Sequence, residues 1–267
     1  MNWRGGWAMI RAQLFGYLSA KGFFWTLALG WMTGPLIYLF VWMTAAGNGT
    51  IGTYDRNGFA VYYLCVIVVN QLTYPTTHWS TAQMIHNGSI SSALLRPLPL
   101  VYGAIGQELA VKLVCVPFVL AVAAVLGVCL GVDTGMGIGI GPEHIPLAAA
   151  AMLLAVGIRF LLAYCLSLVA FWTRQSGALL SVNDTLFYLL AGQVAPVALF
   201  PGALNQLASV LPYRYMLSFP VEVLMGTVSG QELIRGFAMQ GVWLFLFSGI
   251  CFFINKQGVR RYSAVGG

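Results

Sequence analysis

Six apolar runs, each about 20 residues long, constrain this chain more than any other feature of its sequence. A helix needs about 20 apolar residues to cross the hydrocarbon core of a bilayer, whereas a strand of a membrane barrel needs only about ten. The runs therefore predict six membrane-spanning helices. They cover residues 23–43, 59–79, 108–130, 147–172, 178–200 and 237–254.

The composition leads to the same class. Hydrophobic residues make up 59% of the 267 positions and charged residues only 7%, whereas a soluble domain is about 25% charged. A soluble protein could not keep so large an apolar surface away from water. The sequence therefore predicts an all-α integral membrane protein. The five cysteines all fall inside or at the edge of apolar runs, where we expect small apolar fillers rather than disulfides or metal ligands.

The distribution of charge predicts that both termini lie in the cytoplasm, with the chain crossing the membrane several times. With the N-terminus inside, most basic residues fall in cytoplasmic segments, which is the usual bias of inner-membrane proteins. The outer segments then hold Arg56, Arg214 and Arg235, together with most of the acidic residues. The net charge of +6 is a signal of topology and of attraction to anionic lipid, and no basic, aromatic patch indicates nucleic acid.

Residues 1–22 have the pattern of an amphipathic helix lying flat in the cytoplasmic headgroup layer. The apolar side chains recur at intervals of three and four residues, while Arg4 and Arg11 lie off that stripe. Such a helix is either a simple anchor or an anchor that also contacts a partner, and the sequence leaves both open. The stripe consists of Trp3, Trp7, Ile10, Leu14 and Tyr17.

The segments predicted on the outer side differ from each other. Residues 132–146 are rich in glycine but lack the lysine and spacing of a phosphate-binding loop, so we expect a flexible loop. Residues 201–235 have apolar residues at helical spacing, broken by Pro212 and Pro220. They predict short helices at the outer face, partly re-entrant after Gly192 and Pro196.

One cytoplasmic loop, residues 88–97, has its own helical pattern. Asn87 and Gly88 predict a turn, Ser89 is placed as an N-cap, and Pro97 and Pro99 prevent the helix from continuing. An apolar face suited to a groove on a partner protein is predicted, formed by Ile90, Ala93 and Leu94.

Polar residues inside the spans are costly and therefore suggest function. Arg159 lies near the middle of the fourth span, and Asn183 and Asp184 lie in the fifth. One interpretation is structural: Arg159 and Asp184 form an ion pair, or the arginine snorkels towards the membrane surface. The other is that these residues line or gate a transport path. Tyr74 and His78, one turn apart in the second span, either line a polar cavity or bond a neighbouring helix.

Glu108 and Lys112 are also four residues apart, and they predict a local helix salt bridge.

The sequence contains no pattern typical of an enzyme or of an ATP site. None of the three histidines has a cysteine or a carboxylate at the spacing of metal ligands. The seven acidic residues do not cluster at one membrane face. A membrane-embedded lipid-modifying enzyme is therefore the weakest alternative. A channel or secondary transporter would favour several carboxylates within the spans or an internal repeat, and Asp184 is the one clear candidate.

A succession of short motifs over nearly the whole chain resembles the permease subunit of bacterial ABC exporters of the ABC-2 type. Each motif is weak alone, but their order and spacing are more specific. They are GSISSALLRPL in the loop described above, AFWT at 170–173, GQVAPVALFP at 192–201, LPYRY at 211–215 and FPVEVLMG at 219–226.

The resemblance implies a permease that binds no cofactor and no metal, with ATP and Mg²⁺ held by separate nucleotide-binding ATPase subunits. It further implies a location in the bacterial plasma membrane and a pathway shared with a second permease, identical or related. An interface helix at the N-terminus and outer helices that cap the path are also implied. The loop would be the coupling helix that docks the ATPase, through Gly88, Ser89, Ile90, Ser91, Ala93, Leu94, Leu95, Arg96 and Pro97. Family members often have an acidic and a basic residue near its start, where this chain has Ser and Asn.

Overall fold

A computed structural model describes residues 21–95, 99–132, 141 and 143–261, together with residues 7, 11–12 and 14–16 near the N-terminus. Most of the predicted interface helix (1–22) and most of the glycine-rich loop lie outside the described residues. Arg96 and Pro97 of the predicted coupling segment also lie outside them.

The described chain is almost entirely helical, apart from a two-stranded hairpin. The antiparallel strands β1 (Thr50–Ile51) and β2 (Tyr54–Asp55) form this hairpin. The helices are α1 (Lys21–Ala46), α2 (Arg56–Thr73), α3 (Thr77–His86), α4 (Ile90–Leu94), α5 (Leu100–Cys129), α6 (Ile145–Leu168), α7 (Ser176–Leu190), α8 (Gly202–Val210), α9 (Pro212–Met216), α10 (Ser218–Leu224) and α11 (Gly230–Arg261). Single 3-10 turns occupy Val169–Phe171 and Val197–Leu199.

Among the described residues, five helical segments are long and apolar enough to cross a membrane, and they confirm the prediction of an all-α membrane protein. They are residues 29–46, 56–86, 100–129, 145–171 and 230–261. The fifth apolar run, residues 178–200, forms α7, which has only 15 residues. That length rises about 22 Å, less than the 30 Å of a typical hydrocarbon core. The count of six spans therefore stays a prediction.

The helix α7 is short because the chain unwinds directly after it, at Gly192 with φ +91°. The Gly192 carbonyl accepts a hydrogen bond from the Tyr62 hydroxyl at 2.7 Å. The Val194 carbonyl accepts from the Trp42 indole N–H and the Tyr63 hydroxyl, both at 2.8 Å. Irregular backbone at membrane depth is tolerated where the protein itself satisfies it, so these aromatic donors allow the turn.

The span formed by α2 and α3 is the most buried of the five, while α5 and α11 are the least buried. The segment begins at the hairpin and leads to α4, so the hairpin and α4 lie at opposite ends of the bundle. Around the start of α2, the side chains of Phe59, Tyr62 and Tyr63 are fully buried in the main core cluster.

Candidate functional site

The second span is broken between α2 and α3 by Pro75, which has no N–H and cannot continue a helix. The free N–H groups at the start of α3 are bonded by a carboxylate from α5. One oxygen of Glu108 accepts from the backbone N–H groups of Thr76 at 2.6 Å and Thr77 at 2.8 Å, and from the Thr77 hydroxyl at 2.9 Å. A negative charge at a helix N-terminus is also stabilised by the helix dipole.

The other side of the break is bonded by Lys112. Its ammonium group donates to the Tyr74 carbonyl at 3.1 Å and to the second Glu108 oxygen at 2.8 Å. The predicted local salt bridge is therefore confirmed, but its position next to the break was missed. Two signals in the sequence could have indicated it. Pro75 interrupts the second apolar run, and the charged pair Glu108 and Lys112 lies in the next run along the chain.

A cavity of about 210 Å³ lies beside this break, between α1, α2, α6 and α7. Three of the five pathway or gating candidates, Tyr74, Arg159 and Asp184, line this cavity. The other two, Asn183 and His78, lie next to Asp184 in sequence and in space. The cavity lining consists of Gly30, Trp31, Gly34, Asn70, Tyr74, Arg159, Asp184, Phe187, Tyr188 and Gln193. Gly30, Trp31 and Gly34 of α1 were not foreseen, because nothing in an apolar run distinguishes a lipid-facing residue from one facing a cavity.

Arg159 is only 6% exposed, and uncharged side chains contact its guanidinium group. One guanidinium nitrogen donates to the Asn70 side-chain oxygen at 2.9 Å and to the Thr73 hydroxyl at 2.8 Å. The guanidinium carbon lies 3.6 Å from the ring centroid of Phe187 and 5.0 Å from that of Tyr74, which is cation–π distance. Within the described residues Arg159 has no carboxylate within 4.0 Å, so it neither snorkels nor forms a direct ion pair with Asp184.

Asp184 is less completely bonded. One of its oxygens lies 3.6 Å from Nε2 of His78, and the other lies 3.4 Å from the Asn183 amide. Both distances exceed the usual 2.7–3.2 Å of a strong hydrogen bond. The Asp184 side chain is 37% exposed, while His78 is 1% exposed. Neither ring nitrogen of His78 has a hydrogen-bond partner among the described residues.

These contacts define what the cavity can bind. One guanidinium nitrogen of Arg159 is already bonded to Asn70 and Thr73, whereas the Asp184 carboxylate can accept further hydrogen bonds. Next to it are aromatic faces, including Trp31 and Tyr74, whose ring centroids are 4.3 Å apart. A carboxylate beside aromatic faces suits a hydrogen-bond donor or a cationic group with an apolar body.

The short helix α4 lies at the far end of α3 and differs from its predicted form. Ile90 is 1% exposed and lies in a core cluster with Ile85 and Leu168, and Leu94 packs against that cluster. The predicted apolar docking face therefore points into the chain's own core, since a five-residue helix buries its apolar side against the nearest helices. Leu95, by contrast, is 87% exposed.

The turn that leads into α4 is also bonded differently from the prediction. Ser89 makes no side-chain cap to α4. Instead the Asn87 side-chain oxygen accepts from the Ser89 backbone N–H at 3.0 Å and from the Ser89 hydroxyl at 2.7 Å. Gly88 has φ +76°, a conformation that favours glycine.

A second cavity, of about 490 Å³, lies at the hairpin end among β2, α8, α9, α10 and α11. An ion pair on its wall joins Arg214 to Glu222 at 3.0 Å, and the Ser218 hydroxyl donates to Glu222 at 2.6 Å. Burial, together with the Glu222 carboxylate, raises the pKa of Tyr54 on the same wall to about 12. The short helices predicted for residues 201–235 are present, with α8, α9 and α10 before α11.

No group of three or more His, Cys, Asp and Glu side chains that could hold a metal ion comes together in the part of the chain that the structure describes. The sequence profile of the ABC-2 family transporter proteins matches residues 29–266, which is nearly nine-tenths of the chain. No curated protein matches the chain closely enough to add to this result.

Proposed function

Because the chain belongs to the ABC-2 family of transporter proteins, and is thus a membrane component of an ABC transporter, we propose that it is the permease of an ATP-driven exporter. It works in the bacterial plasma membrane with both termini in the cytoplasm. Two nucleotide-binding ATPase subunits and a second permease, identical or related, complete the transporter. ATP and Mg²⁺ bind to the ATPase subunits, and this chain binds the cargo.

The observation that carries the proposal is the family match over residues 29–266. The sequence has no phosphate-binding loop of its own, so a permease of this family needs a separate source of motion. The segment 88–97 supplies a contact for it. Leu95, in this segment, is exposed between the membrane segments α3 and α5, which is where we expect an ATPase to bind.

The cavity of about 210 Å³ is the part of the pathway that this chain contributes. Asp184 is partly exposed and is followed on α7 by the exposed Thr185. A carboxylate is costly against lipid, so this side of α7 faces the pathway and the second permease. The predicted residues Tyr74, His78, Arg159, Asn183 and Asp184 then surround the cargo-binding side of α7.

The mechanism is a change in access. ATP binding moves the coupling segment, and the cavity alternates between inward and outward openings. Cargo is driven only if its affinity differs between the two conformations. Asp184 can supply that difference, because a carboxylate that lacks strong donors in one conformation can gain them from the cargo.

The test is to express the chain with its candidate ATPase, purify the complex and reconstitute it in vesicles. We expect the ATPase to remain bound to the permease, and its rate of ATP hydrolysis to change when the permease is present. A permease that neither retains the ATPase nor alters hydrolysis would contradict the proposal. It would then favour the second candidate, a channel or secondary transporter centred on Asp184, which would conduct without ATP.

A further inference from the structure

The coupling segment and the cavity are joined by one rigid element, α3. At one end, the Asn87 N–H bonds the Gln83 carbonyl at 3.0 Å and the Ser91 N–H bonds the Gly88 carbonyl at 3.1 Å. Ile85 of α3 and Ile90 of α4 are buried in the same core cluster. The helices α3 and α4 are joined by the short turn at Gly88 and share a core cluster, so a displacement of α4 carries the adjoining end of α3 with it.

The helix α3 lies antiparallel to α7, and a histidine contacts α7 near each end. Nε2 of His86, in the last turn of α3, lies 2.8 Å from the Ser176 hydroxyl at the start of α7. Nε2 of His78, in the first turn, lies 3.6 Å from Asp184. Eight residues separate the two contact points on each helix, which is about 12 Å of helix rise. The two contacts thus fix the register of α3 against α7.

The other contacts of α3 can hold it in place but do not fix this register. Ala82 and Ile85 pack in the core cluster with Leu180 of α7, and apolar packing is non-directional. A hydrogen bond between His86 and Ser176 requires a definite distance and angle. It is also the shorter of the two polar contacts, and it lies at the end nearer to α4.

We infer that His86 and Ser176 are positioning residues that transmit movement of α4 to α7, and so to Asp184 in the cavity. The inference rests on the proposed function, since it names the route by which ATPase motion reaches the pathway. The pair touches neither cargo nor nucleotide and acts by keeping α3 and α7 in register. Glu108 and Lys112 bond both sides of the break at Pro75 to α5, so the start of α3 is held there and the end that carries His86 is the one that moves with α4.

The experiment measures whether nucleotide changes the surroundings of α7. A single reactive thiol is placed by Thr185→Cys in a Cys129→Ser background, because the other four native cysteines are buried. The rate of maleimide labelling is measured in the complex with the ATPase, with and without ATP. His86→Ala and Ser176→Ala are compared with Gln83→Ala, which removes an exposed side chain from the same helix.

We expect ATP to change the labelling rate in the parent and in Gln83→Ala. In His86→Ala the ratio of the two rates should fall about fivefold, the effect of losing about 1 kcal/mol of coupling. His86→Gln, which retains a hydrogen-bonding group, should restore part of the ratio. ATPase retention and the unfolding temperature should match those of the parent, because a purely structural role would change these two instead.

The outcomes separate the inference from the proposed function. If ATP changes labelling equally in the parent and in His86→Ala, the transmission route is wrong, while the proposed function stands. If ATP leaves labelling of the parent unchanged although the ATPase is bound, the transmission route is overturned, whereas loss of the ATPase from the parent and an unchanged rate of ATP hydrolysis would overturn the proposed function. Should His86→Ala unfold, Ser176→Ala alone decides, since it removes only a hydroxyl.

Discussion

The hydroxyl of Tyr62, on the second span, donates a hydrogen bond to the backbone carbonyl of Gly192 at 2.7 Å, although the two residues lie 130 positions apart. The contact satisfies the first turn after α7, where no helix bond is available. The same glycine leaves no room for a side chain, because a Cβ on it would lie 2.7 Å from the Tyr62 oxygen. The hydrogen bond from Tyr62 and the close packing at Gly192 together determine where α7 ends.

Tyr62→Phe should destabilise the protein by about 1 to 2 kcal/mol, because a buried carbonyl loses its donor without a change in packing. The measurement is the thermal unfolding midpoint in detergent. Tyr102→Phe is the matched control, since the Tyr102 hydroxyl has no hydrogen bond within the described residues. Equal effects of the two substitutions would contradict the role assigned to Tyr62.

Glu108→Ala should destabilise the protein by about 3 kcal/mol, because it leaves Lys112 without its partner and exposes the unbonded start of α3. Glu108→Gln should cost less, since its amide oxygen still accepts from Thr76 and Thr77 but no longer pairs with Lys112. Amide hydrogen exchange of residues 77–86 should rise in the same order. An alanine variant with wild-type exchange in this helix would show that the carboxylate does not hold the break.

Gly236→Ala should destabilise the protein by about 1 to 3 kcal/mol, the usual effect of overpacking. A Cβ at this position would overlap the Phe219 ring, so α11 and α10 would have to separate. A Cβ at Gly241, five residues further along α11, would meet nothing within 4 Å. We expect Gly241→Ala to be neutral or stabilising by up to about 1 kcal/mol. Unfolding midpoints of the two variants check the contrast, and a stable Gly236→Ala would contradict the close approach.

Leu95→Asp should weaken binding of the ATPase while leaving the unfolding midpoint of the permease unchanged, because Leu95 is exposed and makes no core contact. Ile90→Asp should instead unfold the core around α4, since it buries a charge. Co-purification with the ATPase, measured beside thermal stability, separates the two effects. If Leu95→Asp retains the ATPase fully, the exposed end of α4 is not the docking surface.

Asp184→Asn should lower ATP-dependent transport and keep stability within about 0.5 kcal/mol, because this carboxylate makes only long contacts. Arg159→Leu should lower stability, since it leaves Asn70 and Thr73 without their donor. The double variant should show nearly additive losses of stability, because the two charges have no direct contact. A coupling above about 1 kcal/mol would point to the direct ion pair that the geometry does not show.

The sequence predicted correctly those features that depend on length and local pattern. Apolar runs gave the helical membrane class, Pro212 marked a helix boundary, and Glu108 and Lys112 formed the pair that their spacing required. The α4 region was predicted as a short helix, but with the wrong face outward. An apolar face has the same pattern whether it packs on a partner or on its own chain, and only the positions of Ile85 and Leu168 distinguish the two.

The sequence by itself determined that this chain is a helical membrane protein, because hydrophobic length follows from neighbouring residues, and the order of its motifs indicated the ABC-2 family that the profile match shows. The tertiary structure alone decided that Arg159 bonds to Asn70 and Thr73 rather than to Asp184. It also decided that Glu108 bonds the start of α3. These contacts join residues far apart in the chain, and their partners are chosen by how the helices pack, which no local pattern records.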